Sequence, residues 1–232
     1  LAATFNGMLD SLDDAFRSQR AFLDDVAHEL RTPITIARGH LELLGDEPEQ
    51  RAETVEIVTD ELDRMSRYVD DLLVVAKSAQ PHFLQLGVVD VAQLVDDVLA
   101  RSVALGDRAW VRGAGPGAAE VLVLADEGRL TQALLALVTN AVQHTGDGDR
   151  IEVGAVVGER VRLYVADSGP GVEPDERERL FARFSRGAHG ATRRPEGTGL
   201  GLAIVAAIAT AHRGTVGVDS EPGEGATFYV EI

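Results

Sequence analysis

Two successive stretches of this chain place apolar residues at alternating spacings of three and four, and no other feature limits its folding so tightly. The second stretch is unbroken: Val55, Val58, Leu62, Met65, Val69, Leu72 and Ala76. Such a seam is the a/d stripe of a heptad. It is narrower than the face of a helix packed on a globular core, and it calls for a matching helix. The first stretch, Leu9, Leu12, Phe16, Gln19, Leu23, Val26 and Leu30, keeps the same rhythm with one polar member. Gly45-Asp46-Glu47-Pro48 separates the two, a link so short that the helices must be antiparallel neighbours. Two narrow seams bury little by themselves. The economical solution is a four-helix bundle built by two chains; the alternative is a hairpin packed on the rest of its own chain.

The seam also says where one histidine points. With Leu23 at a and Val26 at d, His28 falls at f, on the solvent side of the first helix. Thr32 lies four residues on and shares that face. Pro33 has no N–H for the carbonyl of Glu29, which predicts a kink just past the histidine. An exposed imidazole beside a carboxylate and a local distortion has the makings of a reaction centre.

The 232 residues are 45% hydrophobic, enough for one large domain or two modest ones with a real core. A net charge of −16 argues against nucleic acid or an anionic membrane surface as partner, since both need clustered Lys and Arg. Any anionic ligand must therefore be held locally, by backbone N–H groups, a metal ion or a few arginines. With no cysteine there are no disulfides or thiolate metal sites, and the six histidines show no H-E-x-x-H spacing. The longest apolar run, Leu200 to Ala211, is the length of a buried core helix and too short for a membrane span. The chain opens at Leu1 already inside the heptad pattern. The helix is therefore expected to continue upstream, as in a piece cut from a longer protein.

Beyond Ser78-Ala79-Gln80-Pro81, read as a linker, the pattern becomes mixed. A strand is predicted over Phe83 to Val89, a helix over Val91 to Ala104, and short strands near Trp110 and over Val121 to Ala125. A helix follows over Glu127 to Gln143, with Asp126 as its N-cap. Ile151 to Val157 and Val161 to Ala166 read as a hairpin, split by Gly158-Glu159-Arg160. After a polar, Gly-rich stretch come a helix over Gly199 to His212 and strands over Thr215 to Asp219 and Ala226 to Ile232. Hairpins alternating with a few helices predict an α+β fold, a two-layer sandwich with a mixed sheet.

Four short segments of this second part could form one nucleotide site. Asn140-Ala141-Val142-Gln143-His144-Thr145 closes a helix, and an amide carbonyl suits Mg²⁺, though Asn140 reads equally well as a helix C-cap. Asp167-Ser168-Gly169-Pro170-Gly171 follows a strand. Its carboxylate could accept from an exocyclic amino group such as adenine's, or merely form an Asx-turn. Gly197-Thr198-Gly199-Leu200-Gly201-Leu202 opens a helix and bares N–H groups at its positive dipole end, a phosphate cradle suited to a chain with few cations. It has neither the G-K-[ST] of a Walker loop nor the G-x-G-x-x-G of a dinucleotide fold. Gly223-Glu224-Gly225-Ala226-Thr227-Phe228 turns into the last strand and reads first as a hairpin.

Order and spacing of the set say more than any member. The chain closely resembles the bacterial sensor histidine kinases of two-component systems. His28-Glu29-Leu30-Arg31-Thr32-Pro33 is similar to that family's H box, Asn140 stands in its N box, and Asp167 to Gly171 matches its first glycine box. Phe181-Ala182-Arg183-Phe184 resembles its F box and Gly197 to Gly201 its second glycine box.

The resemblance implies the end of a HAMP signalling helix over 1–18 and a dimerisation and histidine-phosphotransfer domain over 19–79. A catalytic ATP-binding domain of the Hsp90-like fold would follow over 80–232. It implies autophosphorylation of His28 from Mg-ATP, with Glu29 orienting the ring as base. Transfer would then go to an aspartate of a response-regulator receiver domain, with Thr32 positioning water for phosphatase activity. It implies that Asp167 recognises adenine and Asn140 binds Mg²⁺. Gln143, His144, Gly169, Gly171, Phe184, Gly197, Thr198, Gly199, Leu200, Gly201, Leu202 and Thr227 would line the nucleotide. It implies a homodimer and a cytoplasmic portion that meets the membrane only through an upstream segment. Two positions depart from the pattern: Ala136 replaces an asparagine frequent in the family, and Gln143 replaces a frequent Lys or Arg that contacts phosphate. Arg183, Arg186, Arg193 and Arg194 are the cations that could stand in for it. Two other readings use the same residues: a nucleotide-binding scaffold with an unreactive His28, and a stand-alone ATPase or protein-serine kinase.

Overall fold

The computed structural model describes residues 26–45, 47–78, 80–113, 121–177, 179–182 and 199–232, together with 17, 20 and 24. The chain divides into two compact units, Leu1–Asp70 and Asp71–Ile232.

The first unit is a helical hairpin. Its first helix, α1, runs continuously over 26–42 among the described residues, and α2 follows over Pro48–Lys77, the boundary between the units falling within it after Asp70. Pro48 stands at the first helical position, where a missing N–H costs nothing. Pro33 does not end α1: the helix is unbroken through it, and the proline itself is buried. Of the first seam, only Val26 and Leu30 lie among the described side chains, and both are half-buried. The second seam is uneven. Val58, Met65 and Leu72 are half-buried, whereas Val55, Leu62 and Val69 are 60%, 56% and 44% exposed. Those three sit seven apart, at one heptad position, so one side of α2 carries a row of exposed apolar side chains among the described residues.

The second unit is a two-layer sandwich. Its elements run β1 (Gly87–Asp90), α3 (Val91–Ser102), β2 (Ala109–Arg112), β3 (Leu122–Ala125), α4 (Glu127–His144), β4 (Arg150–Val157), β5 (Val161–Asp167), α5 (Gly201–Ala211), β6 (Thr215–Ser220) and β7 (Ala226–Glu231). A five-stranded sheet has the order β2-β4-β5-β7-β6, with β2 parallel to β4 and the other pairs antiparallel. The strands β1 and β3 pair separately as an antiparallel ribbon.

Alternation decides the layers. Ile151 and Val153 of β4, Leu163 and Val165 of β5, and Phe228 and Val230 of β7 are buried and lie toward the helices. Leu94 and Val98 of α3, Leu130, Leu134 and Leu137 of α4, and Ile208 of α5 close the core with essentially no exposed surface. Each such side chain contributes about 1.5–3 kcal/mol by leaving water.

Two boundaries differ from the sequence pattern for a physical reason. The strand expected over Phe83 to Val89 pairs only from Gly87, because the Gln85 N–H donates to the Asp126 carboxylate (2.7 Å) instead of to a neighbouring strand. Phe83 is buried, with the Arg129 guanidinium 4.3 Å over its ring. The helix expected from Gly199 starts at Gly201, because Gly199 takes a φ of +66°, outside the helical region.

Candidate functional site

The site is built where α4 ends beside the turn that follows β5. Asp126 starts α4 by accepting the Arg129 N–H (3.0 Å) on its side chain, and the helix then runs 18 residues to His144. Asn140, Gln143 and His144 stand three and four apart, so they share the face beside the buried stripe of Leu134, Leu137, Val138 and Ala141. Asn140 and His144 are half-buried and Gln143 is exposed. Ala136, at the other departure from the family pattern, is half-buried.

Asp167 is the last residue of β5, and its side chain lies on the helix side of the sheet, continuing the alternation of Leu163 and Val165. One carboxylate oxygen accepts the Gly169 N–H at 2.9 Å. Burial holds this carboxyl above the ordinary carboxylate range; the Gly169 N–H, the neighbouring His144 and the Ala226 N–H pull the other way, and Asp149 adds to the rise. A carboxylate has about four lone-pair sites. Backbone N–H groups fix this one in place and leave it acceptor capacity, which recognition of an amino group requires.

Glycines bring the walls together. A Cβ on Gly169 would lie 2.8 Å from Asp167 Oδ1 and 2.9 Å from the His144 carbonyl oxygen, so the turn fits between α4 and Asp167 only without a side chain. Gly225, at φ +87°, packs on the backbone of Asp167 and Ser168, and a Cβ there would overlap the Asp167 carbonyl. The segment from Gly223 to Phe228 does form a hairpin, the β6–β7 turn, and it also supports the candidate site. Ser220, at the end of β6, ties the two turns: its hydroxyl donates to the Gly225 carbonyl (2.6 Å) and accepts the Val172 N–H (2.9 Å). Arg177 donates to the Ser220 carbonyl and to that of Val172 (3.4 Å). Neither Ser220 nor Arg177 stands out in the sequence, since a serine before a Pro-Gly turn and an arginine in a charged stretch carry no local signal.

Other expected residues are placed less closely. Gly171, at φ +74°, abuts the Glu221 carbonyl and contributes backbone shape. Leu200 is fully buried, and α5 begins at Gly201 with no side-chain hydrogen bond from its N-cap residue. Leu202 is half-buried in that first turn. Thr227 stands apart from the Asp167 side chain. It pairs with Ala166, one register position from the Asp167–Ala226 pair, and strand alternation sends its side chain to the opposite face of the sheet. Phe184, Gly197, Thr198 and the arginines 183, 186, 193 and 194 lie outside the described residues; Phe181 packs edge-on against Phe228, centroids 6.3 Å apart.

In the first unit, His28 and Thr32 are both exposed on one face of α1, and Glu29 is half-buried beside them. Residues 18–81 match the His Kinase A (phospho-acceptor) domain family. Residues 125–232 match the histidine kinase-, DNA gyrase B- and HSP90-like ATPase family. This chain belongs to the sensor histidine kinases.

Among curated proteins, the chain is 38% identical to the probable sensor histidine kinase TcrY of Mycobacterium tuberculosis over 96% of its own length and 49% of the relative's. It is 36% identical to the sensor protein IrlS of Burkholderia pseudomallei over 98% of its length and 50% of that protein's. The chain thus spans about half the length of the curated relatives it matches. Among solved histidine kinases it is similar to ThkA in complex with the response regulator TrrA, with a TM-score of 0.71 and 26% identity over 89% of this chain and 59% of that one. Another similar solved structure is full-length ShkA in complex with AMPPNP, with a TM-score of 0.62 and 35% identity over 92% of this chain and 45% of that one.

Proposed function

We propose that the chain is a phosphorelay kinase core: it transfers the γ-phosphoryl group of Mg-ATP to His28, then to an aspartate on a response-regulator receiver domain. The observation that carries the reading is the Asp167 site, a half-buried carboxylate walled by glycine turns, in the same chain as an exposed His28 that shares its face with Thr32. The family match and the AMPPNP and response-regulator complexes of its relatives support it.

Each residue has a task. The Asp167 carboxylate accepts the adenine amino group, and the Gly169 turn lets the base approach the backbone. The N–H groups at the start of α5 meet phosphate oxygens, which suits a chain whose net charge is −16. Asn140 offers a hard carbonyl oxygen. Among the described residues no three His, Asp or Glu side chains converge as a metal cluster, so the donor set fits Mg²⁺ held by few protein oxygens and by phosphate. When bound, that ion neutralises charge developing on the transferred group. The neutral imidazole of His28 supplies the lone pair that forms the N–P bond as the bond to the β-phosphate oxygen breaks. Glu29 accepts from the other ring nitrogen and orients it. Thr32, one turn further on the same exposed face, positions water for hydrolysis of the phosphorylated regulator.

The exposed row of Val55, Leu62 and Val69 supports a homodimer, each chain supplying two helices of a four-helix bundle. Incubation with γ-labelled ATP tests the kinase reading. Acid-labile, base-stable label that disappears in His28→Gln and in Asn140→Ala is expected; label that persists unchanged in His28→Gln overturns it.

A further inference from the structure

We propose that Arg108 is a positioning residue of the nucleotide site, a role that rests on the reading above of where the nucleotide binds. Arg108 lies just before the edge strand β2, and its side chain is 7% exposed. Its Nε donates to Thr145 Oγ1 (2.9 Å), and one terminal nitrogen donates to the carbonyls of Thr145 (3.0 Å) and Val142 (3.3 Å). The other donates to Asp147 (2.8 Å) and to its neighbour's carbonyl at Asp107 (3.1 Å). Thr145 Oγ1 in turn donates to the Ala141 carbonyl (2.8 Å).

These bonds meet the end of α4. A helix leaves its last four carbonyls without partners in the helix, and here Arg108 and Thr145 between them satisfy those of Ala141 and Val142. The cation also sits at the negative end of the helix dipole. A glycine cap or water would satisfy such carbonyls at less cost than ordering a guanidinium, whose side chain loses about 2 kcal/mol of rotamer entropy. What the fork adds is geometry: it holds the final turn from the side, through three groups at once.

That turn is the wall of the site. It carries Gln143 and His144 and follows directly on Asn140, and the His144 carbonyl is the atom a Cβ on Gly169 would meet at 2.9 Å. Slackening the turn moves that wall against Asp167 without removing any group that touches the nucleotide. Arg108 therefore acts through α4.

The test measures Mg-ADP affinity and thermal stability on the 232-residue chain carrying Arg108→Gln, Arg108→Lys or Arg162→Gln. Arg162, on the opposite face of the sheet, pairs with Glu231 and Asp219 and stacks over Tyr229 at 3.9 Å, so its loss controls for stability alone. Arg108→Gln is expected to weaken Mg-ADP binding about tenfold, with Arg108→Lys recovering part of it and Arg162→Gln binding as the native chain does. Unchanged affinity in Arg108→Gln, or an equal loss in Arg162→Gln, overturns the proposal. Should Arg108→Gln fail to fold, Arg108→Lys decides: native affinity in that variant refutes a role that needs the fork. Failure of the native chain to bind Mg-ADP would instead strike the nucleotide-site reading itself.

Discussion

The backbone N–H of Asp126 donates to Nε2 of His212, 3.0 Å away and 86 positions further along the chain. The other ring nitrogen faces the Ile208 carbonyl at 2.8 Å, so the proton sits on Nδ1 and Nε2 is left as the acceptor. Asp126 also accepts from Gln85 and Arg129, so one residue joins the segment before β1, the start of α4 and the end of α5.

Removing that imidazole leaves the Asp126 N–H in a buried place without an acceptor. His212→Ala is expected to cost about 1–3 kcal/mol in urea unfolding. Nitrogen-15 NMR of the native chain should show the His212 proton on Nδ1, and a proton on Nε2 would contradict the bond.

Asp167 sits in its site at a cost. Its folded-state pKa is raised by burial, so between the unfolded and folded values the folded chain holds the extra proton. Its contribution to stability is then fully present below the unfolded value and lost as pH rises through the folded one. Asp167→Asn, neutral at every pH, is expected to melt higher than the native chain at pH 7, and the gap should close as the pH falls below the ordinary carboxylate range. The same variant should bind Mg-ADP about ten- to a hundredfold more weakly, the worth of a hydrogen bond to a charged acceptor. Calorimetric melting across pH, with ADP titration, reads both effects.

Gly225 and Gly223 both have positive φ, yet they differ in surroundings. A Cβ on Gly225 overlaps the Asp167 carbonyl, whereas one on Gly223 meets nothing within 4 Å. Gly223→Ala should therefore cost only the left-handed backbone penalty, about 1–2 kcal/mol. Gly225→Ala should cost more and also weaken Mg-ADP binding, because Asp167 must move. Equal unfolding free energies for the two would show that the contact carries no weight.

Val55, Leu62 and Val69 repeat at seven-residue intervals on α2 and stay exposed. The chain is expected to sediment as a dimer, and Leu62→Glu, which places a charge in the middle of that stripe, should sediment as a monomer at the same concentration. A native chain that sediments as a monomer at micromolar concentration would remove the basis for the bundle.

Legibility follows sequence separation. The helix α4 with its Asp126 cap, the β4–β5 hairpin and the last two strands are readable because period, cap and turn residues lie within one element. Phe83 to Leu86 misread as strand because their apolar content resembles one, while their fastening to Asp126 comes from 41 positions away. The side of the sheet that Thr227 faces is not legible in its motif, because a motif names residues in a row, whereas a strand shows alternate residues to opposite faces.

By itself the sequence determined the heptad seams, the solvent side on which His28 stands, the α+β order of the second unit and the ordered boxes that place the chain in its family. Each depends on local periodicity or on residue identity at fixed spacing. Only the tertiary structure decided that Gly225 supports Asp167, that Ser220 ties two turns, that His212 reaches Asp126 and that Arg108 holds the end of α4. Those relationships join residues far apart in the chain, and excluded volume and hydrogen-bond geometry choose such partners only once the sheet has brought them together.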